Sequence, residues 1–222
     1  RLGAQNRTSV PLAKIPIELR HAVLAAEDRK FYTNHAISPT GILRAFYLMA
    51  RGGAIQGGST ITQQYAKTAF LSREQTIKRK LKELIIAIKL ENQLSKDEIL
   101  ESYLNTIYFG RGAYGVQTAA QQYFGLNVDQ LSIRQCAVLA SVLRSPGYYD
   151  PGLRDGNLER LTARYNYTIT AMVAADWADK KYLAIKKLPA IKSRLSSGIL
   201  AGPKGYLVAA IQAELNKLGF PD

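Results

Sequence analysis

The chain has 222 residues and a mass of 24.5 kDa, and its 47% apolar and 21% charged residues exclude a disordered or low-complexity protein. Its one cysteine, Cys136, excludes a disulfide framework, and no apolar stretch reaches the roughly 18 to 20 residues that cross a bilayer. The net charge of +13 predicts an anionic partner, such as nucleic acid, a phosphorylated substrate or an acidic membrane.

The sequence predicts a mainly helical chain, because helix signals recur and strand signals are sparse. The first predicted helix, 41–50, has apolar residues on every face, so it must be buried in protein or lipid. Capping boxes of the Ser-x-x-Glu/Gln type then predict helix starts near residues 73, 96 and 133. Another helical pattern runs from Arg160 to Trp177.

The C-terminal part of the chain differs in composition from the rest. From 180 to 204 there are seven basic residues and no acidic one, beside Pro and Gly, and this pattern predicts an exposed basic connector. The segment 205–222 is more apolar and is expected to lead into another module. Because the sequence starts at Arg1 rather than Met, we expect the chain to be excised from a longer protein.

Glu27 and Asp28 form the first candidate site. They follow an apolar segment and precede Phe31, so Glu27 should stand at the polar edge of a hydrophobic helix end. A carboxyl group in such a position is partly desolvated, which suits proton transfer near neutral pH. From these residues alone, a solvated helix-end carboxylate paired with Arg29 or Lys30 remains the alternative.

A polar segment, 51–64, combines glycines that allow close backbone approach with neutral hydrogen-bonding side chains. Segments of this kind bind sugars and phosphates, and a mobile polar loop is the alternative reading. The sequence GxxxxGK[ST] is absent, so a nucleotide P-loop is not predicted. The polar side chains at its end are Ser59, Thr60, Thr62, Gln63 and Gln64.

Cations are concentrated between residues 67 and 82. Six fall within these sixteen residues: Lys67, Arg73, Lys78, Arg79, Lys80 and Lys82. Helical spacing places Arg79 and Lys80 on the same side as Glu83. An intrahelical salt bridge would explain this spacing but not the excess of cations, whereas a multiply charged anion such as a pyrophosphate would explain that excess.

Taken in order, these motifs resemble those of the peptidoglycan glycosyltransferases, family 51, which stand at the front of class A penicillin-binding proteins. The resemblance covers 27–151 through EDRKF from Glu27, GGSTITQQ from Gly57, RKLKE from Arg79, SKDEILESYLN from Ser95 and AVLASVLRSPGYYDP from Ala137. It implies a mainly α fold, with a lysozyme-like helical lobe and a smaller membrane-facing jaw lobe. The whole chain, 1–222, would be one such domain, and GPKGYLVAAI from Gly202 resembles the passage toward a transpeptidase module.

The resemblance also implies roles. Glu27 would be the general base that takes the proton from the 4-hydroxyl of the acceptor lipid II sugar. Glu83 would be the second carboxylate, which assists the departure of undecaprenyl pyrophosphate as lipid II is polymerised into β-1,4 glycan strands with inversion. The implied substrate contacts are Asp28, Phe31, Ser59, Thr60, Gln63, Gln64, Lys67, Arg79 and Lys80, the last three at the pyrophosphate.

The resemblance further implies the cofactors, partners and location of a protein of cell-wall synthesis. The sequence requires no cofactor and predicts no protein metal site, although a divalent cation, Mg²⁺ or Mn²⁺, could join the pyrophosphate. The expected partners are lipid II, the growing glycan strand, a membrane surface and a C-terminal transpeptidase module in the full-length chain. The expected location is the outer face of the cytoplasmic membrane, with an upstream transmembrane anchor.

Two other functions compete with this interpretation. Paired carboxylates in a helical lobe also suit a muramidase-like hydrolase, but cutting a neutral glycan does not need the cations around Lys67, Arg79 and Lys80. The charge of +13 would suit a nucleic-acid binding module, but no groove-reading motif accompanies it. We therefore expect no nucleic acid partner.

Overall fold

The computed structural model describes residues 8–34, 59–71 and 77–193. Within these ranges the chain is helical and forms no strand beyond an isolated bridge between Tyr108 and Tyr114, which confirms the predicted mainly α class. The helices are α1 (Ile17–Glu27), α2 (Ile61–Phe70), α3 (Ile77–Gln93), α4 (Lys96–Thr106), α5 (Val116–Phe124), α6 (Ile133–Leu143), α7 (Pro146–Tyr149) and α8 (Asn157–Ala174). Short 3₁₀ helices cover Leu12–Lys14, Val128–Gln130 and Lys180–Ala184.

Local capping explains where two of the helices begin. Ser95 caps α4 in a reciprocal capping box with Glu98, and Ser132 caps α6 in the same way with Gln135. The predicted starts near 96 and 133 are therefore confirmed. The start predicted near 73 and the apolar helix predicted over 41–50 lie outside the described residues.

The main core is built around α6. Every residue from Cys136 to Leu143 is buried, and α6 packs against both α1 and α8. On the facing side, α1 buries an apolar run that ends at Ala26. Each large apolar side chain buried here stabilises the fold by about 1.5–3 kcal/mol, so Glu27 stands at the end of a firmly packed helix.

Helices α2, α3 and α4 form a second packed group, and this group contacts the end of α1. Helix α2 packs against α3 and α4, with a small apolar cluster that includes Ala66 and Leu90. Thr60 caps α2, and the Asp28 carboxylate also accepts a hydrogen bond from the backbone N–H of Ile61 at 3.2 Å. The start of α2 is therefore held directly against the end of α1.

Helix α8 ends earlier than its pattern predicts. It stops at Ala174 rather than Trp177, because Asp176 takes a positive φ of 56° and the chain turns back. The Trp177 N–H donates to the Met172 carbonyl, and the Trp177 ring stacks on His21 with 4.7 Å between ring centroids. Packing of the tryptophan thus replaces a further helical turn.

The basic segment that follows α8 is attached to the main core at a few positions over its described part. Leu188 and Ile191 pack against the main core, and the Lys192 N–H donates to the Tyr123 carbonyl at 2.8 Å. The five lysines between 180 and 193 are exposed, as predicted, while the apolar residues anchor the segment to the lobe; its role as a connector stays a prediction. Residues 194–204 lie outside the described ranges.

The predicted membrane-facing surface can be followed only in part. Phe70, at the end of α2, is 55% exposed. The all-apolar helix predicted over 41–50 falls outside the residues that the structure describes, and the jaw lobe stays a prediction. No helix in the described ranges is both long enough and apolar enough to cross a bilayer.

Candidate active site

Glu27 is held at both carboxylate oxygens. It is the last residue of α1, and its side chain is 8% exposed. Its Oε2 accepts a hydrogen bond from Gln64 Nε2 at 3.0 Å, and its Oε1 lies 3.3 Å from Arg164 Nη2. The same Arg164 nitrogen donates to the Ala26 carbonyl at 2.9 Å. Helices α2 and α8 therefore fix the carboxylate from two sides.

Glu83 lies on α3 and is 1% exposed. The Nζ of Lys80 donates to its Oε1, and Arg79 Nη1 lies 4.0 Å from its Oε2. These contacts follow the i,i+3 and i,i+4 spacing of the helix. A carboxylate buried this deeply requires such charged partners, so the acid and its cations form one unit.

One serine connects the two acids. Lys80 Nζ donates to Ser59 Oγ at 3.1 Å, while the Ser59 carbonyl accepts from Gln64 Nε2 at 3.2 Å. Because Gln64 also donates to Glu27, and Lys80 to Glu83, the contacts form an unbroken chain. We call these five residues, Glu27, Gln64, Ser59, Lys80 and Glu83, the acid network.

The other polar residues predicted for the sugar cleft lie beside this network. Thr60 Oγ1 accepts from the Gln63 N–H at 3.2 Å, so Thr60 orders the first turn of α2, and the Gln63 side chain is half-buried. Lys67 is exposed on the same helix and forms no ion pair with any described residue.

Asp28 and Phe31 were predicted to contact substrate, but both have structural contacts. Phe31 is 1% exposed in the main core, with Lys96 Nζ 4.8 Å from its ring centroid. Phe31 offers no surface to a substrate, which corrects the prediction. Asp28 is half-buried and caps α2 through Ile61; burial raises the pKa of Asp28, and the Ile61 N–H opposes that rise.

Two residues around Glu27 were not predicted as part of the site. Arg164 is 137 positions away in sequence, and its guanidinium carbon lies 4.7 Å from the ring centroid of Tyr167. Tyr103 is fully buried in the core, and its hydroxyl donates to Gln64 Oε1 at 2.9 Å. Neither contact has a local sequence signal, because both depend on the packing of distant helices.

The described residues do not form a protein-ligated metal site. No group of three or more His, Cys, Asp or Glu side chains in the described ranges could hold a metal ion. Glu83 offers a single carboxylate that two cations already contact. Mg²⁺ bound through one carboxylate would depend on phosphate oxygens from the substrate.

Comparison with known proteins identifies relatives over most of the chain. The transglycosylase family model matches residues 1–173. Penicillin-binding protein 1A of Escherichia coli (strain K12) is 40% identical over 219 residues, which cover 98% of this chain and 25% of that protein. Penicillin-binding protein 1A of Mycobacterium tuberculosis is 46% identical over 172 residues, which cover 76% of this chain and 21% of that protein.

A solved structure supports the same relationship at the level of the fold. The crystal structure of penicillin-binding protein 1A from Haemophilus influenzae aligns with 100% of this chain and 23% of its own, with a TM-score of 0.52 and 20% sequence identity. The chain spans about a quarter of the length of the curated relatives it matches. Since the family model covers well over half of the sequence, the chain belongs to the transglycosylase family.

Proposed function

We propose that this chain is a peptidoglycan glycosyltransferase that polymerises lipid II into β-1,4 glycan strands and releases undecaprenyl pyrophosphate. The observation that carries the proposal is the acid network, in which contacts link Glu27 to Glu83 through Gln64, Ser59 and Lys80. Membership of the transglycosylase family supports the class of reaction. The names of the relatives support a role in penicillin-binding proteins.

In this mechanism Glu27 is the general base. Its carboxylate takes the proton from the 4-hydroxyl of the acceptor sugar while that oxygen attacks the anomeric carbon of the donor. The bond between the anomeric carbon and the pyrophosphate oxygen breaks on the opposite face, so the configuration inverts. Gln64 and Arg164 hold the carboxylate in place, which such a transfer requires.

The leaving group needs charge stabilisation more than it needs a proton. A departing pyrophosphate keeps its negative charge, and preorganised cations lower the energy of that developing charge. Arg79 and Lys80 would bind it, with Glu83 holding both cations on one side of α3. Lys67, exposed on α2, would supply a third positive charge. Ser59, Thr60, Gln63 and Gln64 would line the sugar cleft.

The proposal includes a setting at the membrane. Lipid II is lipid-borne, so the substrate would reach the site from the outer face of the cytoplasmic membrane, and the exposed Phe70 is suited to that surface. A transpeptidase module after this chain belongs to the same proposal, because the matched relatives are about four times as long. A divalent cation would enter only with the pyrophosphate.

The test is polymerisation of labelled lipid II, with products separated on a gel. We expect glycan ladders from the wild type, and a rate lower by about 10²–10⁴-fold in Glu27→Gln, which keeps the shape of the side chain but cannot take a proton. Glu18→Gln, on the same helix but outside the acid network, is the matched control and should leave the ladders unchanged.

Two outcomes would count against the proposal. Equal ladders from wild type and Glu27→Gln would refute the base assignment. Release of soluble fragments from purified cell wall, without any product from lipid II, would favour the muramidase-like hydrolase instead. For the expected loss to count as support, the melting temperature of Glu27→Gln must match the wild type, so that a loss of folding is not read as a loss of chemistry.

A further inference from the structure

A buried phenol is connected to Glu27 through a single amide group. Tyr103 lies on α4 and is fully buried, and its hydroxyl donates to Gln64 Oε1 at 2.9 Å. The other end of the amide, Gln64 Nε2, donates to Glu27 Oε2 at 3.0 Å and to the Ser59 carbonyl at 3.2 Å. The three side chains come from α4, α2 and α1, so this contact chain joins three helices at the carboxylate.

The chemistry of these partners fixes the orientation of the Gln64 amide. Glu27 Oε2 and the Ser59 carbonyl are both acceptors, so the NH₂ end of the amide must face them. The carbonyl end then faces Tyr103, whose hydroxyl hydrogen is the donor it needs. A flipped amide would place an oxygen against a carboxylate and a carbonyl, which is repulsive.

Tyr103 can act as this donor over a wide pH range. Burial raises the pKa of the Tyr103 hydroxyl well above its ordinary value, and the negative charges of Glu27 and Asp28 raise it further. The hydroxyl therefore stays protonated under working conditions and keeps its hydrogen on Gln64. No other described group in the site combines full burial with a donor directed at the amide oxygen.

We propose that Tyr103 is a positioning residue for Glu27, acting through Gln64. Its hydroxyl holds the amide in the orientation that binds Glu27 Oε2, while Arg164 contacts the other carboxylate oxygen. The inference rests on the proposed function, because it matters for the rate only if Glu27 is the base. A base must lie within hydrogen-bond reach of the proton it takes, and small displacements are costly.

The kinetic test compares Tyr103→Phe with Tyr123→Phe. Tyr123 is a matched control, because it is also fully buried and its hydroxyl donates to a protein carbonyl, that of Phe109 at 2.8 Å. Both substitutions remove one buried hydroxyl, but only Tyr103 leads to Glu27. We expect kcat for lipid II polymerisation to fall about tenfold in Tyr103→Phe relative to Tyr123→Phe, with KM within about twofold.

A second measurement needs no substrate. With ¹³C-carboxyl-labelled glutamate, the NMR signal of Glu27 can be assigned by its absence in Glu27→Gln. We expect this signal to move in Tyr103→Phe and in Gln64→Leu, and to stay in place in Tyr123→Phe. Gln64→Leu removes the direct donor to Glu27, so it gives the shift expected when that contact is lost completely, against which the shift in Tyr103→Phe is compared.

The outcomes separate this inference from the proposed function. An active wild type with equal kcat and an unmoved Glu27 signal in Tyr103→Phe and Tyr123→Phe would overturn the role of Tyr103 alone. A wild type inactive on lipid II, with a Glu27 signal that moves only in Tyr103→Phe and Gln64→Leu, would contradict the proposed function. That second result would still support the link from Tyr103 to Glu27.

Discussion

Arg111 and Arg164 each pair with a buried carboxylate, but their hydrogen bonding differs. Arg111 donates from Nε and Nη2 to Asp150 at 2.7–3.2 Å, and its Nη1 donates to two backbone carbonyls. Arg164 reaches Glu27 with one nitrogen, at 3.3 Å, and its buried Nε has no hydrogen-bond partner within the part of the chain that the structure describes.

The difference in hydrogen bonding indicates different roles. The pair of Arg111 and Asp150 stabilises the fold, whereas the pair of Arg164 and Glu27 leaves a carboxylate that can accept a proton. Asp150 also accepts from the Gly152 N–H, and its carbonyl accepts from Asn157, so the Arg111 pair locks several turns together. Fully satisfied buried groups of this kind are structural. Glu27 has fewer and longer contacts, so its carboxylate keeps lone pairs for the proton of a substrate.

After Glu27→Gln, the largest effect is expected from the second acid. Glu83→Gln should lower kcat by about 10²–10³-fold, because Lys80 and Arg79 lose the charge that holds them where the pyrophosphate departs. Steady-state polymerisation of lipid II measures the change. Glu91→Gln is the control, since Glu91 lies on the same helix and pairs with Lys96 outside the acid network. Equal losses in both variants would contradict the role of Glu83.

Breaking the pair of Arg111 and Asp150 should lower the stability of the fold, rather than kcat alone. Asp150→Ala leaves a buried guanidinium without its partner, and we expect the free energy of unfolding in urea to fall by about 3–5 kcal/mol. The exposed pair of Asp179 and Lys181 gives the comparison, and Asp179→Ala should cost no more than about 1 kcal/mol. If Asp150→Ala instead left the stability unchanged, the structural role of this pair would be excluded.

Arg164→Met should reduce kcat by about tenfold with little change in KM, because the carboxylate loses one of its two side-chain contacts but keeps Gln64. Arg160→Met serves as the control, since Arg160 lies on the same helix and its guanidinium lies 4.5 Å from the ring centroid of Tyr148. A similar kcat in the two variants would mean that Arg164 contributes to packing but does not position the Glu27 carboxylate. Kinetics should be compared at equal fractions of folded protein.

The smallest effect is expected at the surface. Lys67→Ala should raise KM for lipid II by about threefold, because an exposed cation interacts weakly with an anion and is screened by salt. Lys181→Ala is the control, because it also removes one positive charge but much later in the sequence, and it should leave KM unchanged. The difference between the two variants should shrink as salt is added; a difference that persists in high salt would argue against a charge effect.

Local signals made part of this structure predictable. The starts of α4 and α6 follow from Ser95 and Ser132 with their partners three residues later, because a capping box is a contact within one turn. The grouping of Arg79 and Lys80 with Glu83 follows from helical spacing alone. Such contacts need no knowledge of how the helices pack.

The surroundings of Glu27 could not be predicted in the same way. Its contacts with Gln64 and Arg164 join residues 37 and 137 positions apart, so they exist only once α1, α2 and α8 have packed together. The burial of Phe31 could not be predicted for the same reason. The family resemblance implied that Phe31 contacts substrate, but the packing of the core buries its side chain.

A crystal structure of the Glu27→Gln variant with lipid II bound tests most directly whether both acids serve one reaction. We predict pyrophosphate oxygens within hydrogen-bond reach of Lys80 Nζ and Arg79, and the sugar junction between position 27 and Glu83. A ligand bound with its pyrophosphate away from Lys80, or with position 27 and Glu83 on separate surfaces of the complex, would contradict the proposed mechanism.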